Sequence, residues 1–452
     1  MQIGFRRGFS PFLSDRRNEG TKMAEHRQDI IWKNADPAMA AGSAEVIRIL
    51  LENGYEAYWV GGCVRDEYLG RNVSDMDITT SALPEETSSL FERVIPTGIK
   101  HGTVTVMMNG QPFEVTTYRI EEGYEDHRRP SRVTFVREIE EDLRRRDFTM
   151  NAMALGIDGT WVDPFGGRKD IDLRLIRCVG DARLRFQEDA LRMVRCIRFA
   201  SVFGFSIAKA TWTGMLEKRD TLSWIAMERI RSELDKMMSG PDPLRGLELL
   251  KESGLHSRMK IPFPYKEHKK EIMQSIPEAP SERLDIRWAL LLLGCGIKAA
   301  EADMLLREWT FSNRRRELIL GLLAFQETWF GEERGCDPEA DRLAWVRLVL
   351  GRGAGAAENW LVMQEAISSV DGPAQTVQVR EARKWLLEME VRDLKDLDVS
   401  GNELLKEMDR RGGPWLGEVL NHLLLQCAAG FLVNDKQVLI EEAKRVTNNE
   451  AG

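Results

Sequence analysis

Residues 57–79 constrain this chain more than any other stretch. An apolar run, Ala57-Tyr58-Trp59-Val60, breaks at Gly61-Gly62, continues through Cys63-Val64-Arg65-Asp66 to a stop at Gly70, and returns as Val73-Ser74-Asp75-Met76-Asp77-Ile78-Thr79. The pattern predicts a strand, a glycine turn, a short helix and an acidic strand in one compact unit. Side chains alternate between the faces of an extended segment, so Asp75 and Asp77 project from the same face. Two carboxylates so placed can chelate a divalent metal. Glycines at the turn let backbone amides come close to a phosphate, and a helix starting there adds partial positive charge. Metal and triphosphate sites that neighbour each other in sequence point to nucleotidyl transfer. Each half also has a plainer reading: a solvated turn for the acidic pair, and a glycine hairpin with Arg65 paired to Asp66 for the other.

Phosphoryl chemistry on two metal ions calls for a further carboxylate. Glu114, in Pro112-Phe113-Glu114-Val115-Thr116-Thr117, is the candidate. The run 102–108 reads as a strand, and Asn109-Gly110 is a strong hairpin signal, so Glu114 falls on the returning strand. Phe113, Val115 and Thr117 face one side of it and Glu114 the other. The alternative is an ordinary exposed strand position.

A second constellation lies at Glu188-Asp189-Ala190-Leu191-Arg192-Met193-Val194-Arg195-Cys196-Ile197-Arg198. Read as continuous helix, it makes Asp189 and Arg192 surface neighbours. A local ion pair is the plain reading. The sharper one is base recognition. Cytosine and adenine each present an amino donor beside an unprotonated ring nitrogen, whereas uracil and guanine present a carbonyl beside a ring N–H. A fixed Asp acceptor next to an Arg donor accepts the first pattern and opposes the second. Arg195 and Arg198 continue the three-residue spacing, but each step turns the helix by about 60°, so they suit phosphates better than the base.

Taken in order, Gly61-Gly62-x-x-Arg65-Asp66, Asp75-x-Asp77, Arg145-Arg146-Asp147-Phe148-Thr149-Met150-Asn151-Ala152 and Glu188-Asp189-x-x-Arg192 resemble the motifs of class II CCA-adding tRNA nucleotidyltransferases, within the wider poly(A) polymerase/tRNA nucleotidyltransferase family and nearest its Bacillus-type branch. Thr80-Ser81-Ala82-Leu83-Pro84, Lys100-His101-Gly102-Thr103, Asp163-Pro164-Phe165-Gly166-Gly167 and Gly412-Gly413-Pro414-Trp415 extend the likeness from about residue 40 to the end. The resemblance implies an α/β catalytic head of polymerase-β-like nucleotidyltransferase type followed by an all-α neck, body and tail. It implies Asp75 and Asp77 on Mg²⁺, Glu114 as the third acidic position, and Gly62, Arg65 and Arg146 on the nucleotide. Asp189 and Arg192 would act as a protein template, with Arg195 and Arg198 lining the same site. The implied reaction adds CTP twice and ATP once to the 3′ end of tRNA and releases pyrophosphate. Residues 122–131 resemble the flexible loop that switches such a site from C to A, which disfavours a CC-only enzyme. An A-only enzyme, a bacterial poly(A) polymerase, an antibiotic-modifying nucleotidyltransferase and an idle RNA-binding module of the same fold are the competing readings.

A chain of 452 residues exceeds one ordinary core and implies about two to four domains. The expected division is a poorly ordered leader at 1–40, whose first 22 residues or so are frayed, a head at 41–180, a neck at 181–260, a body at 261–375 and a tRNA-binding tail at 376–452. Residues 44–51 read as the helix that leads into the first strand. Beyond about residue 180 the apolar spacing is helical. The tryptophans at 288, 309, 345, 360 and 385 read as core. A net charge of −8 argues against a generally basic nucleic-acid binder. Arginines between 128 and 198, including Arg144-Arg145-Arg146, point instead to a local basic cleft. Six scattered cysteines without a Cys-x-x-Cys pair, and histidines without ligand spacing, argue against structural zinc. No apolar stretch reaches the ~20 residues of a membrane span, so the expected compartment is the cytoplasm with reduced thiols. Oligomeric state stays open, a homodimer included.

Overall fold

Trp59 is fully buried in the first strand of the head, where it packs edge-on against Trp32 with ring centroids 5.1 Å apart. These contacts come from a computed structural model, which describes residues 32–125, 129–266, 268–331, 338–371 and 373–449. Helix α1 (Pro37–Glu52) starts at a proline capped by Asp36, whose carboxylate accepts the Ala38 and Met39 amides. The head thus begins inside the segment expected as leader: Trp32 already fills the core, and a proline at the first turn with an Asp cap starts the helix early. Residues 1–31 lie outside the described residues.

The head then runs through β1 (Ala57–Val60), α2 (Gly62–Tyr68), β2 (Ile78–Thr80), α3 (Pro84–Leu90), β3 (Val94–Gly98), β4 (Thr103–Met108) and β5 (Gln111–Thr117). It continues with β6 (Arg119–Glu125), β7 (Arg129–Phe135), α4 (Ile139–Arg144), β8 (Ala154–Leu155), β9 (Trp161–Val162), α5 (Gly167–Asp172) and β10 (Leu175–Ile176). Among the described residues, one mixed sheet has the strand order β3-β4-β5-β2-β1-β8-β9. Asn109 and Gly110, at φ 52° and 79°, close the β4–β5 hairpin as the sequence predicts. Along β5, Phe113, Val115 and Thr117 are buried while Glu114 is exposed. Phe113 packs under Gly42 of α1, so the sheet's α1 side is apolar core and its other side carries the carboxylates. The segment 122–131, expected as a loop, is largely the antiparallel β6–β7 hairpin, paired from Arg119 with Phe135 to Glu125 with Arg129. Its tip at 126–128 is outside the described residues.

From α6 (Ala182–Glu188) onward the architecture is helical apart from β11 (Ser206–Ile207), which pairs with β10. The neck comprises α7 (Leu191–Phe203), α8 (Lys209–Lys218), α9 (Met227–Met238) and α10 (Pro243–Ser253). Then follow α11 (Lys270–Gln274), α12 (Leu284–Gly294), α13 (Ala299–Glu308), α14 (Asn313–Gly331), α15 (Pro338–Arg352), α16 (Ala354–Asp371) and α17 (Pro373–Glu388). Trp288, Trp309, Trp345 and Trp360 are buried as expected, and Phe325, Trp329, Trp345 and Trp360 form one aromatic nest. Helix α17 sends Val379, Ala382 and Leu386 into this core. A separate apolar cluster begins at Val391 and gathers α18 (Gly401–Glu407), α19 (Pro414–Ala428) and α20 (Lys436–Asn449). The packing break therefore falls near residue 390 rather than 376. Among the described residues no helix is long and apolar enough to cross a membrane, and the described cysteines are free and buried.

Candidate active site

Strand β2 lies between β1 and β5, and this fixes where the acidic pair can go. It runs parallel to β5 with Ile78 beside Val115. One step back, the same register sets Asp77 beside Glu114. On its other flank the Asp77 carbonyl accepts the Val60 amide at 3.0 Å, directly before the glycine turn. Asp75, two residues upstream, shares the face. Burial pushes the Asp77 carboxyl up to about 6, helped by the charges of Asp75 and then Glu114 and opposed by Arg146. Asp75 and Glu114 are exposed and Asp77 is half-buried. Like charge therefore accumulates at Asp77, which has no ion-pair partner of its own among the described residues.

Among the described residues no three carboxylate, thiol or imidazole groups draw close enough to cage an ion unaided. Electrostatic coupling and cage geometry are separate properties, and like-charged carboxylates stand apart until a cation bridges them. Hard carboxylate oxygens that repel one another are a donor set suited to a hard divalent cation. The residues fit such an ion.

At the turn, Gly61 adopts φ 76° and ψ −121°, and a Cβ there would meet Arg146 Nη1 at 2.9 Å. Arg146 thus lies against the glycine turn, within electrostatic reach of Asp77. Its Nη2 donates to Asp142 at 3.3 Å, and its buried Nε has no partner among the described residues. A buried unpaired donor is costly, so this guanidinium suits an incoming oxygen anion. Arg65 is different. It grips Asp66 through Nε and Nη2 (3.0 and 2.8 Å), donates to Asn151 Oδ1 at 2.5 Å, and stacks over Phe203. The structure shows the plainer pairing, with Arg65 tying the α2 turn to Asn151.

The second constellation departs from the expected helix. Asp189 ends α6 in extended conformation (φ −137°, ψ 104°), and its carboxylate accepts the Leu191 amide at 3.1 Å. A short acidic side chain that bonds the backbone two residues on competes with the helix ladder, and here it breaks the helix. Asp189 and Arg192 are consequently not an ion pair. Asp189 takes Arg229 Nη2 at 3.0 Å, whereas Arg192 donates to Glu188 at 2.7 Å and to the Arg145 carbonyl at 2.8 Å. Acceptor and donor are each held by a different partner, and the Arg192 bond to residue 145 crosses from neck to head.

Arg195 and Arg198 are likewise engaged. Arg195 Nε donates to Asp147 at 2.9 Å, Arg198 Nε donates to Glu233 at 2.5 Å, and the Arg198 guanidinium sits 3.9 Å over the Phe199 ring. Burial alone would raise the Asp147 carboxyl, but Arg195 and the Asn151 hydrogen bond outweigh it and hold it well below the usual carboxylate range. Arg145 and Arg146 are balanced by Asp142, and Arg145 also by Glu121. Arg145, Arg146, Arg195 and Arg198 are thus each answered by an acid, while Arg144 is exposed and lies over the Phe165 ring.

The sequence reading missed Arg229, Asp147 and Glu233 as supports. Glu233 left a signal: it lies on the buried face of α9 with Met227, Ile230, Leu234 and Met237, where an acid requires a cation. Arg229 left none, since only the packing of α9 on α7 brings it to Asp189.

Comparison with known proteins agrees with this architecture. A family profile described as the poly A polymerase head domain matches residues 57–177, one described as a probable RNA and SrmB-binding site of polymerase A matches 204–263, and a putative tRNA nucleotidyltransferase domain 2 matches 282–443. The chain is 39% identical over 406 residues to the CCA-adding enzyme of Bacillus mycoides, covering 89% of this chain and 98% of that protein. It is 38% identical over 395 residues to that of Geobacillus thermodenitrificans, covering 87% and 93%. The crystal structure of the Bacillus stearothermophilus CCA-adding enzyme in complex with CTP superposes with a TM-score of 0.75 at 32% identity, over 92% of this chain and 99% of that one. With the profiles, the near full-length relatives and the site geometry in agreement, the chain belongs to the family of CCA-adding enzymes.

Proposed function

We propose that this chain adds C, C and A, without a nucleic-acid template, to the 3′ end of tRNA from CTP and ATP. The observation that carries this reading is Asp77, set between the glycine turn and Glu114 in a chain of this family. The RNA 3′-hydroxyl gives up its proton to solvent as its oxygen bonds to the α-phosphorus, the bond from that phosphorus to the α–β bridging oxygen breaks, and pyrophosphate leaves. The divalent ion of the family is Mg²⁺ in this proposal, held by Asp75 and Asp77 with Glu114 as the third carboxylate. When bound, it supplies charge neutralisation at the transferring phosphoryl group. Gly62 and Arg146 hold the triphosphate. Asp189 accepts the base amino group and Arg192 donates to the unprotonated ring nitrogen, so C and A are taken and U and G opposed. Arg229 and Glu188 keep those two side chains from swinging. Arg65, Arg195 and Arg198 shape the wall of the nucleotide site through Asp66, Asp147, Glu233 and Phe199 rather than through free charge.

The head, the helical neck and body, and the tail cluster from residue 391 divide the work between chemistry and holding tRNA. The described cysteines are free rather than joined in disulfides, which suits the reducing cytoplasm. The deciding experiment offers transcripts of tRNA ending at the discriminator base, at C or at CC, with CTP, ATP or both. Completion to CCA in every case is expected. ATP use only after CC, with no CTP use, would make it an A-only enzyme; long A tracts would make it a poly(A) polymerase; no incorporation would leave an idle RNA-binding module.

A further inference from the structure

A cavity of about 420 Å³ lies wholly on body elements, between the end of α12, the start of α13 and the C-terminal part of α14. Its frame is fixed by the backbone. The His268 and Lys269 amides both donate to the Gly294 carbonyl (3.1 and 2.9 Å), which clamps this segment over the end of α12. There Gly296 adopts φ 75°, and a Cβ on it would meet His268 Cδ2 at 2.9 Å. Only glycine leaves room for the ring.

Three kinds of group line it. Leu293, Ile297 and Phe330 make an apolar surface, with Phe330 45% exposed. Lys269 and Lys298 bring two cations that have no ion-pair partner among the described residues, beside Glu327, whose carboxylate already accepts the Ala299 amide at 2.8 Å. Gln326 adds a directed donor. Its Oε1 accepts Trp360 Nε1 at 2.7 Å and Gln364 Nε2 at 2.6 Å, both from the buried interior. An indole can only donate, so the amide cannot flip, and its unpartnered Nε2 is turned to the cavity that Gln326 lines. The set complements a flat ring that carries an acceptor and is joined to an anion. A nucleoside monophosphate has all of these, and the volume suits a single small ligand. Two lysines match a monophosphate's charge of about −1.5 to −2 and fall short of a triphosphate's. A base-paired RNA stem would have to unstack a base to fill the cavity, so a free nucleotide fits better. Guanine offers O6 and N7 as adjacent acceptors to a donor-only amide, whereas adenine sets its amino group beside N7. We propose that the body holds a second nucleotide site, which takes a free guanine mononucleotide with its ring on Phe330, its acceptor edge on Gln326 Nε2 and its phosphate between Lys269 and Lys298.

The test is calorimetry on the full-length protein with GMP as the probe, without and with excess CTP to fill the site in the head. One saturable site that survives CTP is expected. Lys298→Ala and Gln326→Glu should each weaken GMP about tenfold, and the second variant keeps an acceptor for Trp360 and Gln364 while removing the donor. AMP should bind about tenfold more weakly than GMP, and Gln326→Glu should erase that preference. Incorporation of CTP into tRNA should keep its wild-type rate in both variants, since neither side chain belongs to the site in the head. No GMP binding to wild type, or binding lost on adding CTP, would overturn the inference. Unchanged GMP affinity in both variants would overturn it as well, as would equal affinities for GMP, AMP and inorganic phosphate. A raised KM for tRNA in Lys298→Ala, with no GMP bound by wild type, would give the cavity to RNA instead. The proposal does not lean on the transferase reading: a protein that incorporates no CTP yet binds GMP in this way would fail that reading and uphold this one.

Discussion

The head and the neck handle charge in opposite ways. In the head, Asp75, Asp77 and Glu114 crowd like charge onto one face of the sheet and leave Asp77 without an ion-pair partner among the described residues, its carboxyl pushed up to about 6. In the neck, every candidate side chain is already answered: Asp189 by Arg229, Arg192 by Glu188, Arg195 by Asp147 and Arg198 by Glu233. The first arrangement costs stability and suits a cation that binds and neutralises it. The second fixes rotamers in advance, as a surface that reads a base by hydrogen bonds requires. Uncompensated charge in the head and compensated charge in the neck are thus built from the same residue types, paired differently.

The sharpest way to break this contrast is to remove one acid from each region. Asp77→Ala should reduce incorporation by about 10³-fold or more, the several kcal/mol expected of a lost metal ligand, while the thermal midpoint stays level or rises because like-charge repulsion is relieved. Asp147→Ala should do the reverse to the fold. It removes the nearer of the two acids on Arg195, leaving Glu233 at 3.5 Å, and breaking a buried pair costs up to about 3–5 kcal/mol. Equilibrium denaturation of both variants checks the pair of expectations. A destabilised Asp77→Ala with an untouched Asp147→Ala would dissolve the distinction between the two regions.

The head's site was the more legible of the two, for a physical reason. Strand side chains have a period of two, and Asn109-Gly110 sets a tight hairpin, so the pattern alone put Asp75 and Asp77 on one face and Glu114 on the exposed side of a returning strand. The parallel pairing of β2 with β5 that brings Asp77 and Glu114 together is tertiary and was not readable. In the neck, helical spacing from Glu188 to Arg198 implied a continuous helix. Asp189 instead bonds the Leu191 amide and interrupts it. Its counter-ion, Arg229, lies 40 residues on and arrives only through the packing of α9 on α7. Arg65 shows the complementary lesson: the pairing with Asp66 visible in the sequence is the one it makes, with the Phe199 and Phe203 rings and Asn151 added by the fold.

A smaller effect sharpens the neck side of the comparison. Asp189→Ala should relax discrimination against UTP and GTP by about 10- to 100-fold, the cost of one mispaired buried group. Arg229→Ala should shift it in the same direction by about three- to tenfold, because the carboxylate remains but is no longer held. The ratio of kcat/KM for CTP over UTP in each variant measures both. Equal losses in the two would make Arg229 a direct base contact rather than a support, and no loss in either would remove the neck from base selection.

The smallest effect concerns protons at the head. An isolated aspartate titrates near pH 4, and Asp77 in the folded chain is pushed up to about 6. Between those values the folded state binds the extra proton, so without cation the contribution of Asp77 to stability falls as pH rises through this window and is largest below it. If Asp77 holds Mg²⁺ as proposed, protons and Mg²⁺ compete for the same carboxylate. At pH 5 only about one Asp77 in ten is ionised without cation, so Mg²⁺ affinity measured by calorimetry without RNA should drop about tenfold between pH 7 and pH 5. Excess Mg²⁺ should restore the thermal midpoint at pH 7 more than at pH 5. The Arg195–Asp147 pair offers a control within the same molecule: its carboxyl, held low, stays ionised across the whole range. An affinity for Mg²⁺ independent of pH would mean that Asp77 is not where the ion binds, and the uncompensated charge of the head would need another purpose.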